Sequence, residues 1–406
     1  MNNILVSPKW QAVKEAMKEG LKENMKGKME VLLDNVLKES SRHRRNAAFL
    51  TENASANATS AGNIAAINQV VLPLIRRVLP GVIANELVGV QALSGPFGQV
   101  STLRTVYKQG ISGVSAGYEA MAPRHVNDLA KAYSGNQDNS APGAAQTMHL
   151  EGVPGNAIGI EILKQQVEVG TRRMSARWTI ESAQDAQAQY GVDMEAENLS
   201  AIAQHMTLEI DQELLLRLRS LPPAATAANT FDQSRISGQA TFVGDEFAVL
   251  AILIAKEVND IMTRTRRYVP NGFWTVVSPT ALTVLQAAKS SAFARTTEGD
   301  FEGPVNMKMV GTLNNSVKVF CDVFASESTS CLVGFKGSDT DAGLFFCPYI
   351  PLMQSDTVQD PNTLEFTVGF MSRYAIVTLQ DRATSLGNSA DYYGLVGMNS
   401  TNLSFL

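Results

Sequence analysis

Residues Asp193–Ser220, reading DMEAENLSAIAQHMTLEIDQELLLRLRS, constrain the fold more than any other stretch. Leu199, Ile202, Met206, Ile210, Leu214 and Leu218 recur at steps of three and four, so they line one face of a helix. Asp193 suits the N-cap, Glu195 and Glu197 the positive end of the helix dipole, and Arg217 and Arg219 its negative end. Leu221-Pro222-Pro223 forbids continuation. At 1.5 Å per residue the helix runs about 40 Å, longer than the core of a small domain. A rod of that length with one apolar stripe acts as a strut on which other elements hang.

The chain around it has 406 residues, enough for two or three domains with buried cores. It is 45% hydrophobic and only 18% charged, which points to a surface partly covered by other subunits. A net charge of −5 excludes a basic nucleic-acid binder by composition. Cys321, Cys331 and Cys347 form no CxxC pair and are expected as half-buried thiols made in a reducing compartment. No stretch approaches the roughly 20 apolar residues of a membrane span, and Met1–Trp10 lacks a signal-peptide pattern. The expectation is a chain made and used in soluble form.

Residues 1–52 differ from the rest. Trp10, Val13, Met17, Leu21, Met25 and Met29 keep helical spacing, Val36 and Leu37 extend it, and Gly20 and Gly27 weaken it. The segment carries ten Lys/Arg against seven Asp/Glu, a net +3, while the remainder has 24 against 32, a net −8. A basic amphipathic helix before an acidic body is either a segment that docks on a partner or scaffold, or a helix packed on its own chain. Small polar residues Asn53–Gly62 follow and read as an exposed linker, where a protease would cut.

Val70–Val90 predicts a short helix, a kink and a buried extended piece. Val100–Tyr107 alternates as a two-faced strand, Ile158, Ile160 and Ile162 alternate likewise, and Val167 and Val169 follow. Between them Gly110–Glu161 holds eight of the thirty glycines and few large apolar residues. The simplest geometry is two antiparallel strands leading to and from a projecting arm, which needs a neighbour to lie on. Ala176–Tyr190 predicts a helix ended by Gly191, and Pro222–Gly238 a loop. Phe247, Leu250, Ile254, Val258 and Ile261 mark a second amphipathic helix, Phe273–Val277 a strand covered on both faces, and Ser278-Pro279 the cap of helix Thr280–Ala288. Val317–Phe324, Cys331–Phe335, Leu344–Phe346 and Phe366–Phe370 read as further strands round a central sheet.

Chemistry is hard to find. His43, His125, His149 and His205 lie in four separate segments with no metal spacing between them or to the cysteines. GxGxxG, GxxxxGK[ST] and GxSxG are absent, and the arm's glycines do not stand between a strand and a helix. Arg264-Thr265-Arg266-Arg267 and Arg42-His43-Arg44-Arg45 read as solvated or ion-pairing clusters rather than nucleic-acid readers. No catalytic, cofactor-binding or metal-ligating residue is assigned, and no cofactor is expected.

Four blocks in order resemble one family. The first is Ile75-Arg76-Arg77, Leu79-Pro80, Ile83-Ala84, Gly89-Val90-Gln91, Pro96, Gly98-Gln99 and Leu103-Arg104. The second is Ile180–Asp185 with Gly191-Val192-Asp193, running into Glu209-Ile210 and Glu213. The third is Val333-Gly334-Phe335-Lys336-Gly337, Asp341–Phe346 and Pro348-Tyr349. The fourth is Asp360-Pro361-Asn362, Gly369-Phe370 and Arg373-Tyr374. Together, across about residues 70–380, they resemble the major capsid proteins of T-even-type tailed bacteriophages.

The resemblance implies an α+β, Hong Kong 97-type capsid fold. Its parts would be residues 1–52, a scaffold-facing N-terminal segment; 53–98, the arm and start of the peripheral domain; and 99–170, the extended loop. Residues 171–240 would complete the peripheral domain with its spine helix, 241–335 form the axial domain, and 336–406 supply return strands and the C-terminal tail. Members of the family are cut by a prohead protease after a Glu two positions beyond a Leu or Ile. Leu50-Thr51-Glu52 fits, with Asn53 opening the shortened chain. Larger members carry an insertion domain for which the interval from Arg104 to Ile180 is too short, so decoration proteins would brace the lattice instead.

The implied function is a structural shell subunit, not an enzyme. It would assemble in the bacterial cytoplasm as hexamers, joined by vertex-protein pentamers, into an icosahedral head enclosing double-stranded DNA. Alternatives with the same fold are a pentameric vertex protein and an encapsulin-like shell. A rival from another class, an oligomeric α/β enzyme, would need a pocket of convergent titratable groups that no spacing here predicts.

Overall fold

The computed structural model describes residues 8–19, 21, 23–48, 83–110, 115–117, 120, 147–151, 155–191, 193–236, 243–265, 272–288, 293–295, 307–314, 316–339, 341–355, 357–359, 365–379, 389–401 and 403. Its first elements are helices α1 (Pro8–Lys18) and α2 (Glu23–Ala48), which break apart beside Gly20 and pack on one another. Their partners run antiparallel. Trp10 Nε1 donates to Asp34 at 3.0 Å, Lys14 pairs with Asp34 and Glu30 at 3.2 Å each, and Lys18 pairs with Glu30 at 2.5 Å. Trp10, Met17, Met25, Met29, Leu32, Leu33, Val36 and Leu37 are buried, each worth about 1.5–3 kcal/mol relative to exposure. Of the two alternatives for this segment, the structure has the one in which it packs on its own chain.

Helix α3 (Ala84–Leu87) leads into strand β1 (Gly89–Val90), and β2 (Phe97–Tyr107) pairs antiparallel with β3 (Ile158–Glu168) over their whole length, from Phe97↔Glu168 to Tyr107↔Ile158. This is the ribbon that the two alternating segments predicted. Strand β4 (Gly170–Thr179) corrects the expected helical start at Ala176. Thr171, Arg173, Ser175 and Arg177 are exposed, whereas Arg172, Met174 and Ala176 are half-buried and Trp178 is buried. That is period two, imposed by ten consecutive ladder partners on a later strand. Helix α4 (Ile180–Tyr190) starts only at the cap, where the Thr179 hydroxyl accepts from Ser182 N, and it closes on Gly191 at φ +66°.

The strut is α5 (Met194–Ser220), with Asp193 accepting from Glu195 N at 3.0 Å. Beyond it, the expected loop holds strand β5 (Thr230–Phe231), whose Phe231 is fully buried, and the short helix Gln233–Ile236. Two residues of pairing are too short for periodicity to reveal. Helix α6 (Val243–Thr265), strand β6 (Phe273–Val277) and helix α7 (Pro279–Ala287) follow as expected, the last capped by the Ser278 hydroxyl. Strands β7 (Phe293–Arg295), β8 (Met307–Leu313), β9 (Val317–Asp322), β10 (Cys331–Ser338), β11 (Asp341–Ala342), β12 (Leu344–Gln354), β13 (Val358–Gln359), β14 (Glu365–Thr378) and β15 (Tyr393–Met398) complete an α+β chain.

Two larger sheets result. One has the order β5-β15-β10-β6-β9-β8-β7, with β11 on β10, and α6 packs on β15, β10 and α7. The other has the order β1-β12-β14-β13, with β4 on β14. The larger sheet and one face of the five-stranded sheet share one apolar cluster, the other face of the five-stranded sheet holds a second, and α5 serves both. Its Leu199, Ala203 and Met206 enter the cluster of the five-stranded sheet, while Ile210, Leu214, Leu215 and Leu218 enter that of the larger one. Asp211, fully buried between the two sets, accepts from Ile83 N at 2.9 Å and anchors the start of α3. The strut reading therefore holds at the level of side chains.

Candidate functional site

Three arrangements of side chains stand out from the packing. The first ties α5 to the five-stranded sheet. Arg172 of β4 donates from Nη1 to Glu209 at 2.7 Å and from Nη2 to Glu213 at 2.6 Å, and its Nε contacts the Tyr374 hydroxyl of β14. Tyr374 in turn donates to Glu213 at 2.6 Å, and Arg217 pairs with the other Glu213 oxygen at 3.0 Å. Arg172, Glu213, Arg217 and Tyr374 line a cleft of about 450 Å³ together with Glu168, Gly170 and Thr171.

A cleft with two Arg, two Glu and a Tyr invites a catalytic reading, and the electrostatics argue against it. Burial works against charge on Arg172, but Glu213 and Tyr374 outweigh it and hold its pKa above the ordinary value. Burial pushes the Tyr374 hydroxyl up, helped by Glu213. Burial also opposes ionisation of Glu213, yet Tyr374 and Arg172 overcome it and lower its pKa. Arg172, Glu213 and Tyr374 are thus each held towards the state they already have near neutrality, which does not suit proton exchange. The arrangement is a latch. Glu209 and Glu213 belong to the second resemblance block and Tyr374 to the fourth, while Arg172, which joins them, lay in the strand missed from sequence.

The second arrangement brings the first and third blocks together. Beyond β1, Gln91 N donates to Phe346 O and Leu93 N to Pro348 O, both at 3.0 Å, so residues 89–93 lengthen the edge beside β12. Lys336, pushed down by burial despite Asp339, donates to Asn85 O at 2.6 Å and pairs with Asp339 at 3.3 Å. Asp339 also receives Lys28 of α2 at 2.7 Å.

The third is the β2–β3 ribbon. Val100 and Val167 anchor its base in the five-stranded sheet's cluster. Further out, Ile158, Ile160 and Ile162 stand on one face of β3 and are 53%, 67% and 57% exposed, while Phe97 at the base is 72% exposed. A two-stranded ribbon is marginal by itself, and a row of exposed isoleucines on one marks a surface built for contact.

The other sequence-derived sites fall as follows. Leu50, Thr51, Glu52 and Asn53 lie outside the described residues, as does Asp360-Pro361-Asn362. His205 pairs with Glu209 at 3.3 Å, and Arg264 with Glu257 at 2.9 Å inside the chain. Cys321, Cys331 and Cys347 are buried free thiols, and burial pushes Cys331 and Cys347 up to about 12. Among the described residues no cluster of His, Cys, Asp or Glu is placed to hold a metal, and no helix is long and apolar enough to cross a membrane.

Comparison with known proteins agrees with the resemblance. The profile of the Major capsid protein Gp23 family matches residues 64–398. The major capsid protein of Vibrio phage KVP40 is 27% identical, over 85% of this chain and 83% of that protein. That of Enterobacteria phage T4 is 26% identical, over 80% and 77% respectively. Among solved structures, the mature capsid of bacteriophage PhiM1 is similar at 12% identity and a TM-score of 0.43, covering 80% of this chain and 87% of that one. The chain belongs to the Major capsid protein Gp23 family, and its part is structural rather than enzymatic.

Proposed function

We propose that the chain tiles the icosahedral head of a tailed bacteriophage as hexamers, with the ribbon of each subunit lying over the next. The observation that carries this reading is the exposed row Ile158, Ile160 and Ile162 on one face of a ribbon whose Val100, Val106, Tyr107 and Val167 are buried. Heterologous contacts of that kind close into rings, and many of them together hold a shell in which each is individually weak. In this reading the parts are those of the Hong Kong 97-type arrangement. Residues 99–170 are the extended loop, 53–98 and 171–240 the arm and peripheral domain, 241–335 the axial domain, and 336–406 the return strands and tail. Vertex pentamers fill the corners, decoration proteins brace the lattice, and the acidic body encloses double-stranded DNA without gripping it. Assembly takes place in the host cytoplasm on a scaffold.

Residues 1–52 belong to the precursor in this reading, and a prohead protease cuts between Glu52 and Asn53. Support comes from the Leu50-Thr51-Glu52 motif, the change of charge there, and a family match that begins only at residue 64. Sedimentation velocity with electron microscopy of the fastest fraction tests the proposal. Shells, tubes or hexameric rings are expected, and a homogeneous monomer at high concentration would sink it. The mass of the chain inside the particles tests the cut.

A further inference from the structure

One solvent-facing patch of the body is apolar, and a buried carboxylate holds it in place. Just past β9, Val323 and Phe324 are 63% and 59% exposed, and Leu216 of α5 is 70% exposed. Asp322, itself fully buried, ties the two places together. Its carboxylate accepts from Gln212 Nε2 and Arg219 Nη2, both at 3.3 Å, and from Phe324 N at 3.1 Å. Gln212, Leu216 and Arg219 follow at steps of four and three on α5, so Leu216 stands between the two side chains that reach Asp322. Ala325 N donates to Asp322 O at 3.3 Å and closes the turn. Leu214, Leu215 and Leu218, on the other side of the same helical turns, fill the larger core. Single exposed apolar residues are ordinary, but three large ones gathered from two elements on a fixed frame make a contact surface.

The ribbon carries the counterpart. After Ile158, Ile160 and Ile162, period two puts exposed Lys164 next on the same face. Beside Phe324, the turn carries exposed Glu327. An apolar row ending in a cation thus matches an apolar patch bordered by an anion. Both surfaces are exposed in one chain, so neither covers the other within it.

We propose that Leu216, Val323 and Phe324 form the seat for the ribbon of a second copy of this chain, with Lys164 directed to Glu327. The inference rests on the reading that the chain assembles through its ribbon, and it adds the surface that receives it. Each copy gives its ribbon to one neighbour and its seat to the other, a heterologous contact that can close into a ring. Three side chains on each partner bury far less than the roughly 1,200 Å² of a stable pair, so the contact holds only when repeated round the ring. Asp322 fixes the seat before binding, which lowers the ordering cost of each contact.

The test combines proximity with charge. Ile160→Cys and Phe324→Cys are made in one chain, and the assembled particles are treated with a short bismaleimide. Cys321, Cys331 and Cys347 are buried thiols whose pKa burial raises, so they stay out of the reaction. A ladder of linked subunits is expected on denaturing gels from the two-cysteine chain, and single chains from either change alone. Separately, Lys164→Glu and Glu327→Lys should each lower the assembled fraction about threefold at fixed concentration, and together restore it. If the two-cysteine chain does not assemble, the charge-swapped pair decides. Assembled particles that give no ladder, or a charge-swapped pair that recovers nothing, would overturn the seat while ribbon-mediated assembly stood. A wild-type chain that forms no particles would instead sink the reading on which the seat rests.

Discussion

At the scale of single residues, the resemblance blocks acquire physical reasons. Gly334, within Val333-Gly334-Phe335-Lys336-Gly337, lies beneath the indole of Trp274, where an added Cβ would come within 2.3 Å of the ring. Trp274 is itself 1% exposed, so it has nowhere to move. Gly334→Ala should cost roughly 1–3 kcal/mol of stability, read as a lower denaturant midpoint with an unchanged slope. Glu213 makes a different prediction. Its folded pKa lies below the ordinary value, so the stability it contributes is present above its unfolded pKa and lost as pH falls through the folded one. The wild type should be more stable than Glu213→Gln at pH 7, and the gap should close as urea titrations move down through the acid carboxylate range. Arg172, Tyr374 and Arg217 all face Glu213, and the pKa values of Arg172 and Tyr374 are both raised.

At the scale of elements, caps and ladders decide boundaries that composition leaves open. The long helix begins where Asp193 accepts from Glu195 N, and Asp193→Ala should cost about 0.5–2 kcal/mol, measurable as a shift in thermal midpoint. Both of its ends and its apolar stripe were legible, because helix periodicity and capping are local. Strand β4 was not. Met174-Ser175-Ala176-Arg177 has no strong strand preference of its own, and its extended form comes from pairing with β14, almost two hundred residues away. Strand β5 and the hydrogen bond from Asn35 to Tyr349 O of β12 were hidden for the same reason, since their partners are remote in sequence.

At the scale of the whole molecule, one helix serves two cores, while one ribbon joins a core at its base and exposes a row of isoleucines further along. That asymmetry is what a lattice subunit needs, namely a rigid body joined at α5 and a projecting apolar edge for a neighbour. Ile160→Asp with Ile162→Asp should leave the monomer folded, each change within about 0.5 kcal/mol, because both side chains are already in water. The same variant should lose shells or rings in electron microscopy. If it assembles normally, the ribbon is not the contact that closes the lattice.

By itself the sequence determined what local chemistry determines. That includes the strut with its caps, the helix marked by Phe247, Leu250, Ile254, Val258 and Ile261, the covered strand Phe273–Val277, the two arms of the ribbon and the family blocks. Only the tertiary structure decided which segments meet. It brought Arg172 to Glu209, Glu213 and Tyr374, and set residues 89–93 beside β12. It also chose between two fates for the N-terminal segment that the sequence left open, seating it on its own sheet through Asn35. The physical reason is common to all three. Periodicity reports which face of an element is apolar, but the surface that covers that face lies elsewhere in the chain, and only the folded packing identifies it.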